Sequence, residues 1–351
     1  MRYGSQGRFE RNSAFVLEKI AEAVPGDNIV ILADSESYDN ACAFAYTARK
    51  LGMNVFIADV DVYGGEEGYA NMPVMEPLRQ AILHSDITFM TTPQMKTNFG
   101  LFLGSQKDCD SALTGRSKRF TFEIGGLGEW ELNEAELLAN RHRAAVLFEK
   151  LKAAREVRVT TERGTDFTCL VGVAVDGMYP VNGIIPFYSE VAIVPSLGSV
   201  NGIAVADGAS ERAYGQRGFP IRPNIPGHRE IWMEPLTLTF KGSMLTGYTG
   251  AAVQTARLDR LMAAVEPKPD ICDELGIVTT GSVENDMYGW SVDGSHHTRC
   301  VHVALGNNRN RKEIIHSTEH IDFDIHEPSI AVDGKLICEK GEFDDEAIGR
   351  L

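Results

Sequence analysis

The hydrophobic period changes once along this chain, near residue 155, and that change dictates a fold in two parts. Between Ser13 and Lys152, apolar runs of strand length alternate with helix-length amphipathic stretches: Asn28 to Ala33, Tyr38 to Leu51, Asn54 to Val60, Met75 to His84, and Ile87 to Thr91. Arg119 to Ile124 adds a further strand, and Asn133 to Arg155 reads as one long amphipathic helix. Such βα repetition implies a mostly parallel sheet covered by helices. After Glu156 the pattern shortens to period-2 runs: EVRVTTE, FTCLVGVAV, SEVAIVP, GIAVAD, PLTLTF, CVHVALG, HIDFDI and SIAVDGKLIC. Gly164 to Asp166 and Asp333-Gly334 sit where hairpin turns need a positive φ. The expected fold is therefore an α/β domain over residues 1–155, followed by a largely antiparallel β domain over 156–351, interrupted by one helix at about Ala251 to Val265.

Within the second part, His316 to His326 (HSTEHIDFDIH) carries the strongest chemical signal. Successive side chains on a strand point to opposite faces. His316, Thr318, His320, Asp322, Asp324 and His326 then share one face, and Ile321, Phe323 and Ile325 the other. The apolar face can pack while the polar face can bind a metal. Side chains two positions apart stand roughly 6 to 7 Å apart at the backbone, so the tips of His320 and Asp322 can converge on an ion bonded at about 2.0 to 2.2 Å. His296, His297, His302, His316, His320 and His326 make up six of the chain's nine histidines. That concentration favours ligation over a solvated polar edge.

Other ligand types lie on neighbouring runs. His302 is the lone histidine within CVHVALG, Glu190 enters the apolar run SEVAIVP, and Glu274 does the same in DELGIVT. Buried carboxylates require a partner, which a metal or an ordinary salt bridge can supply. Gly125-Gly126-Leu127-Gly128 fits a turn better than a phosphate loop. No Gly-x-Ser-x-Gly elbow is present, and His316-Ser-Thr-Glu-His320 has its Glu in the wrong place for a His-Glu-x-x-His zinc motif.

Composition narrows the partners. Thirty-four basic against forty-nine acidic residues give a net charge of -15, which repels a phosphate backbone and disfavours nucleic acid. Cysteines 42, 109, 169, 272, 300 and 338 form no Cys-x-x-Cys pair, so reduced, mostly buried thiols in a cytoplasmic protein are expected. Neither a signal-peptide core nor an apolar run of about 18 residues occurs, and no membrane partner is expected.

The order SEVAIVP, DELGI, VHVALG, HIDFDI, closed by a VDGKLI hairpin and joined by the GTDFT turn, resembles the thermophilic metallo-aminopeptidases of the aminopeptidase T type. The resemblance covers about Glu156 to Gly341; the first domain matches in its α/β character. It implies a two-metal site of zinc, cobalt or manganese held by Glu190, Glu274, His302, His320 and Asp322, with Glu190 and Glu274 also acting in catalysis. His316, Asp324 and His326 suit roles behind the ligands or in proton transfer, His316 being the catalytic candidate. A small molecule or short peptide would be the substrate, and a homodimer the assembly. The 2,5-dihydroxypyridine dioxygenases form a more distant branch of the same resemblance. They use one Fe(II), and the position matching Glu274 is a histidine there, while those matching Glu190 and His302 are apolar. The ligand inventory sides with the aminopeptidases. One departure points the other way: the aminopeptidases carry a tyrosine a few residues after the histidine of the HVALG-like strand, where this chain has Gly306-Asn307-Asn308-Arg309-Asn310-Arg311. Arg309 or Arg311 could bind a substrate anion there.

Overall fold

The computed structural model describes residues 6–35, 37–59, 76–91, 118–122, 124–128, 132–176, 184–185, 190–213, 235–264, 266–279, 300–306, 317 and 319–349. They form two compact units. The first comprises Met1–Leu137 with Met178–Tyr188, and the second Leu138–Gly177 with Ser189–Leu351.

In the first unit, β1 (Asn28–Ala33), β2 (Asn54–Asp59), β3 (Ile87–Met90) and β4 (Lys118–Phe122) are joined by helices α1 (Gln6–Phe15), α2 (Tyr38–Lys50) and α3 (Glu76–Leu83), with a single π-type turn extending α1 to Ile20. All strand pairs are parallel, as the βα alternation implies. β1 is an interior strand whose apolar residues Ile29 to Ala33 are all buried, because helices must cover both faces of a parallel sheet. Phe44 of α2 meets Phe89 of β3 edge to face at 5.1 Å, which fixes that helix on the sheet. The Gly125 to Gly128 stretch expected as a turn lies in one 3₁₀ turn, Ile124–Gly128. The N-terminal helix α1 lies outside the sequence expectation; Phe9 and Val16 bury its apolar side.

A long helix, α4 (Glu134–Ala153), carries the chain into the second unit. The change of period near 155 marks the start of the β region, whereas the unit itself begins at Leu138, near the start of α4, and Leu147 and Leu151 belong to its apolar core. The strands of that unit begin with β5 (Glu156–Thr160) and β6 (Asp166–Asp176). The chain then returns to the first unit for β7 (Ile184–Ile185), which pairs parallel with β4. Among the described residues the parallel sheet thus has five strands in the order β2-β1-β3-β4-β7.

The second unit continues with β8 (Glu190–Pro195), β9 (Asn201–Ala206), β10 (Gly208–Ala213), β11 (Leu236–Lys241), β12 (Met244–Thr249), α5 (Ala252–Ala264), β13 (Cys272–Val278), β14 (Cys300–Gly306), β15 (Glu319–His326), β16 (Ser329–Val332), β17 (Lys335–Glu339), β18 (Glu342–Phe343) and the short α6 (Asp345–Ile348). The described strands form one antiparallel sheet along β10-β15-β14-β13-β8-β6-β5-β16-β17-β18, with β9, β11 and β12 branching from β6. The eleven-residue β6 pairs β5 and β9 by its first half and β8 by its second, with a register shift between Val171 and Val173. A Cβ at Gly172 would stand 2.7 Å from the Val194 carbonyl oxygen, so the bend needs glycine. Both halves of the sheet bury their apolar residues in one cluster that includes Val157, Phe167, Ile193, Leu238, Leu275, Val303 and Phe323. The Asp333-Gly334 turn has φ of 48° and 78°, the positive pair that a tight hairpin between β16 and β17 requires.

Candidate metal centre

Four adjacent strands, β8, β13, β14 and β15, place the ionisable residues. Their register sets Ala192 beside Gly276, Gly276 beside His302, and His302 beside Asp324. Two residues along, Glu274 lies opposite Ala304 and Ala304 opposite Asp322; two residues the other way, Glu190 lies opposite Val278. Laterally paired residues share a face, so Glu190, Glu274, His302, Asp322 and Asp324 all project from one side of the sheet. The alternate residues Val191, Ile193, Leu275, Ile277, Val301, Val303, Ile321 and Phe323 fill the core on the other side. The strict alternation of HIDFDI is thus read out as a polar face on an apolar base.

Glu190, Glu274 and His302 converge. One ligand atom from each lies within 4.8 Å of the other two, and all three residues are buried. His302 Nε2 stands 3.4 Å from Glu190 Oε1 and 3.6 Å from Glu274 Oε1. These separations exceed the usual 2.7 to 3.2 Å of a nitrogen–oxygen hydrogen bond. They match the edge of about 3.4 Å expected between ligand atoms set tetrahedrally around one ion at about 2.1 Å.

Gly276 makes the convergence possible. A Cβ built there would lie 2.2 Å from His302 Nε2 and 2.3 Å from Glu190 Oε1, so the imidazole and carboxylate occupy the space that any side chain would take. An isolated glycine inside a strand marks such a close approach. DELGIV displays that glycine in the sequence, where it goes unnoticed beside the more conspicuous Glu274.

Electrostatics point the same way. Burial by itself depresses the His302 imidazole, but the carboxylates of Glu190, Asp322 and Glu274 outweigh it and raise its pKa above the ordinary histidine value. Asp322 and Asp324, on the same face, are fully buried. A concentration of buried carboxylates around one imidazole demands positive charge. A divalent cation supplies it, and the oxygen and nitrogen donors are the types that zinc, manganese, cobalt and iron accept. The residues present therefore fit a metal ion.

Of the sequence-predicted ligands, Glu190, Glu274 and His302 are brought together, and Asp322 lies one position along the same face, close enough to act on the charge of His302. The backbone of His320 takes its place on β15 opposite Gly306 and Arg212; its side chain lies outside the described ones. His316, Thr318, His296, His297, Arg309 and Arg311 lie outside the described residues. His326 is bonded to Asp207, a carboxylate that sequence reasoning passed over because it reads as the polar end of GIAVAD.

No protein-family model matches the chain, and no protein of curated function matches it in sequence. Its class of fold is nevertheless shared: solved structures combine the same α/β and antiparallel β parts over nearly the whole chain. One is 2,5-dihydroxypyridine dioxygenase from Pseudomonas putida KT2440, with a TM-score of 0.67, 16% identity, and coverage of 99% of both chains. Another is wild-type AmpT, aminopeptidase T, from Thermus thermophilus, with a TM-score of 0.63, 15% identity, and coverage of 96% of this chain and 99% of that one. The resemblance drawn from the motif order is thus met by the fold. No helix among the described residues is long and apolar enough to cross a membrane.

Proposed function

We propose that this protein is a metal-dependent hydrolase of the aminopeptidase T type, cleaving an amide-like C–N bond in a small molecule or at a peptide N-terminus. The observation that carries this reading is the convergence of Glu190, Glu274 and His302 on one buried point with ion-ligand spacing. Glu190, Glu274, His302, His320 and Asp322 would hold one or two divalent ions. Bound there, such ions polarise a carbonyl and lower the pKa of water. Each of the two glutamate carboxylates can either hold a cation or accept a proton. One of them can therefore serve as a base while the remaining donors keep the charge of the site balanced. The buried setting excludes bulk water, which strengthens each of these interactions. A homodimer is the assembly we propose with it.

The test is Glu274→Gln, which preserves shape but removes the negative charge. Elemental analysis should find metal in the wild-type chain and less in the variant, and turnover of peptide or amide substrates should fall by about 100-fold or more. Undiminished turnover would sink the assignment.

A second reading, a mononuclear Fe(II) dioxygenase opening a hydroxylated pyridine or similar ring, draws support from the full-length likeness to the Pseudomonas enzyme and from Gly306-Asn307-Asn308-Arg309 standing where the aminopeptidases carry a tyrosine. His302, His320 and Asp322 would form its two-histidine, one-carboxylate set. Oxygen uptake dependent on ferrous iron separates the two readings, because a hydrolase consumes no oxygen.

A further inference from the structure

A second buried polar network borders the cluster. Where β9 ends and β10 begins, Asp207 is buried, its Oδ2 accepting from Arg163 Nη1 at 2.8 Å and its Oδ1 from His326 Nδ1 at 2.5 Å. The backbone N–H of Asp207 also donates to the Asp324 carbonyl at 3.0 Å. A carboxylate held at both oxygens and through its own main chain is fixed in place, and so is the imidazole bonded to it. With Nδ1–H given to Asp207, proton exchange falls to Nε2, and that atom is buried.

The position of His326 relates this network to the metal centre. His302 lies directly opposite Asp324, so His326, two residues further along β15, is the diagonal neighbour of His302. Such diagonals span about 7 to 8 Å, a distance that two imidazoles and one water can bridge. Alternation along β15 puts His326 on the face of Asp322 and Asp324. Among the described residues, the titratable groups near it are Asp207, and through it Arg163; Cys300 opposite on β14; Asp324 along its own strand; and His302 on the diagonal.

We propose that Asp207 and His326 form the proton-handling pair of the metal centre, His326 moving the proton at Nε2 and Asp207 positioning it. The inference rests on the hydrolase reading. In that reaction the water oxygen bonds to the carbonyl carbon while the glutamate base takes its proton and passes it, by way of one bridging water, to Nε2. The same proton then goes to the amide nitrogen as the C–N bond breaks, so His326 ends as it began and no electrons are exchanged.

The test uses the intact chain with zinc as the probe and nitrogen-15 NMR of its histidines, His326 being assigned with H326Q. Neutral His326 should carry its proton on Nδ1, and zinc should shift its ring-nitrogen resonances, as a nearby cation polarises the imidazole. H326Q should bind zinc in unchanged amount and lose about 100-fold in kcat on an amide substrate together with the acidic limb of the rate profile. D207N should keep zinc, shift His326 toward the other tautomer, and lose about tenfold in kcat. A His326 signal indifferent to zinc overturns the proposal, because the pair is then a corner brace. Loss of zinc from H326Q overturns it as well, because His326 is then a ligand. If the chain takes up zinc and His326 responds, yet only oxygen uptake with ferrous iron is catalysed, the hydrolase reading fails while the coupling of the pair to the metal is supported.

Discussion

Gly276 sets how closely Glu190 and His302 approach, so it is expected to control the metal affinity of the proposed site without donating to the metal. Gly276→Ala should fold, because it is a strand position with neighbours on both sides, but the added methyl collides with the imidazole and carboxylate. We expect its zinc affinity to fall by about tenfold or more, as supporting residues of metal sites commonly show, measured by titration with a competing chelator. His302 adds a pH dependence. Its pKa is raised in the metal-free chain by Glu190, Asp322 and Glu274, so the stabilisation from that charged imidazole is complete below the unfolded histidine value and is lost as pH rises through the raised folded value. A metal needs the neutral ring, so uptake releases the proton. Zinc affinity should therefore increase from about pH 6 to about pH 8, and calorimetry in buffers of different ionisation enthalpy should record proton release. Affinity that is flat with pH would exclude His302 as a ligand. The sequence made Glu190, Glu274, His302 and Asp322 legible because each is an ionisable residue in an apolar run. It hid Gly276 and Asp207 because their importance comes from lateral register, which no single run contains.

Strands of the second unit are two-sided elements, and their apolar side holds the polar side in register. Phe323 stands between Asp322 and Asp324 on β15 and is buried in the core. Phe323→Ala should cost about 3 to 5 kcal/mol and should weaken metal binding in the same protein, seen as a lower denaturation midpoint and a lower zinc affinity. The C-terminal end of the unit depends on local chemistry instead. Asp344 caps α6 by accepting from the backbone N–H groups of Glu346 and Ala347 at 2.9 and 3.0 Å. Asp344→Ala should cost about 1 kcal/mol, measured by urea unfolding, and leave the metal centre untouched. Period and turn residues made most of these elements legible: α4, α5, the Asp333-Gly334 hairpin and HIDFDI appear where the pattern puts them. The two-residue β7 was not legible, because Ile184-Ile185 is too short to show any period, and its partner β4 is more than sixty residues away in the chain.

At the scale of the molecule, a bound ion acts on folding as well as chemistry. An ion held by the folded cluster and not by the unfolded chain stabilises the former by mass action, about 2.7 kcal/mol at a hundredfold excess over Kd. Zinc should raise the melting temperature of the wild-type chain, a strong chelator should reverse the rise, and E190Q should respond to neither. An unchanged melting temperature would count against the cluster as a metal centre. The class of fold could be inferred from the single change in hydrophobic period. The place where one compact unit gives way to the other could not, since α4 spans it without any break in its helical pattern.

The excursion of the chain through Met178–Tyr188 makes each half of the protein discontinuous in sequence. A fragment ending at residue 155 would leave the parallel sheet with β4 as a bare edge, ready to pair with another copy. One beginning at residue 156 would lack Leu147 and Leu151 from its core. No single cut yields two self-sufficient pieces. Each half must wait during synthesis for sequence that is translated later, so folding of the first sheet is expected to finish only after α4, β5 and β6 have emerged from the ribosome.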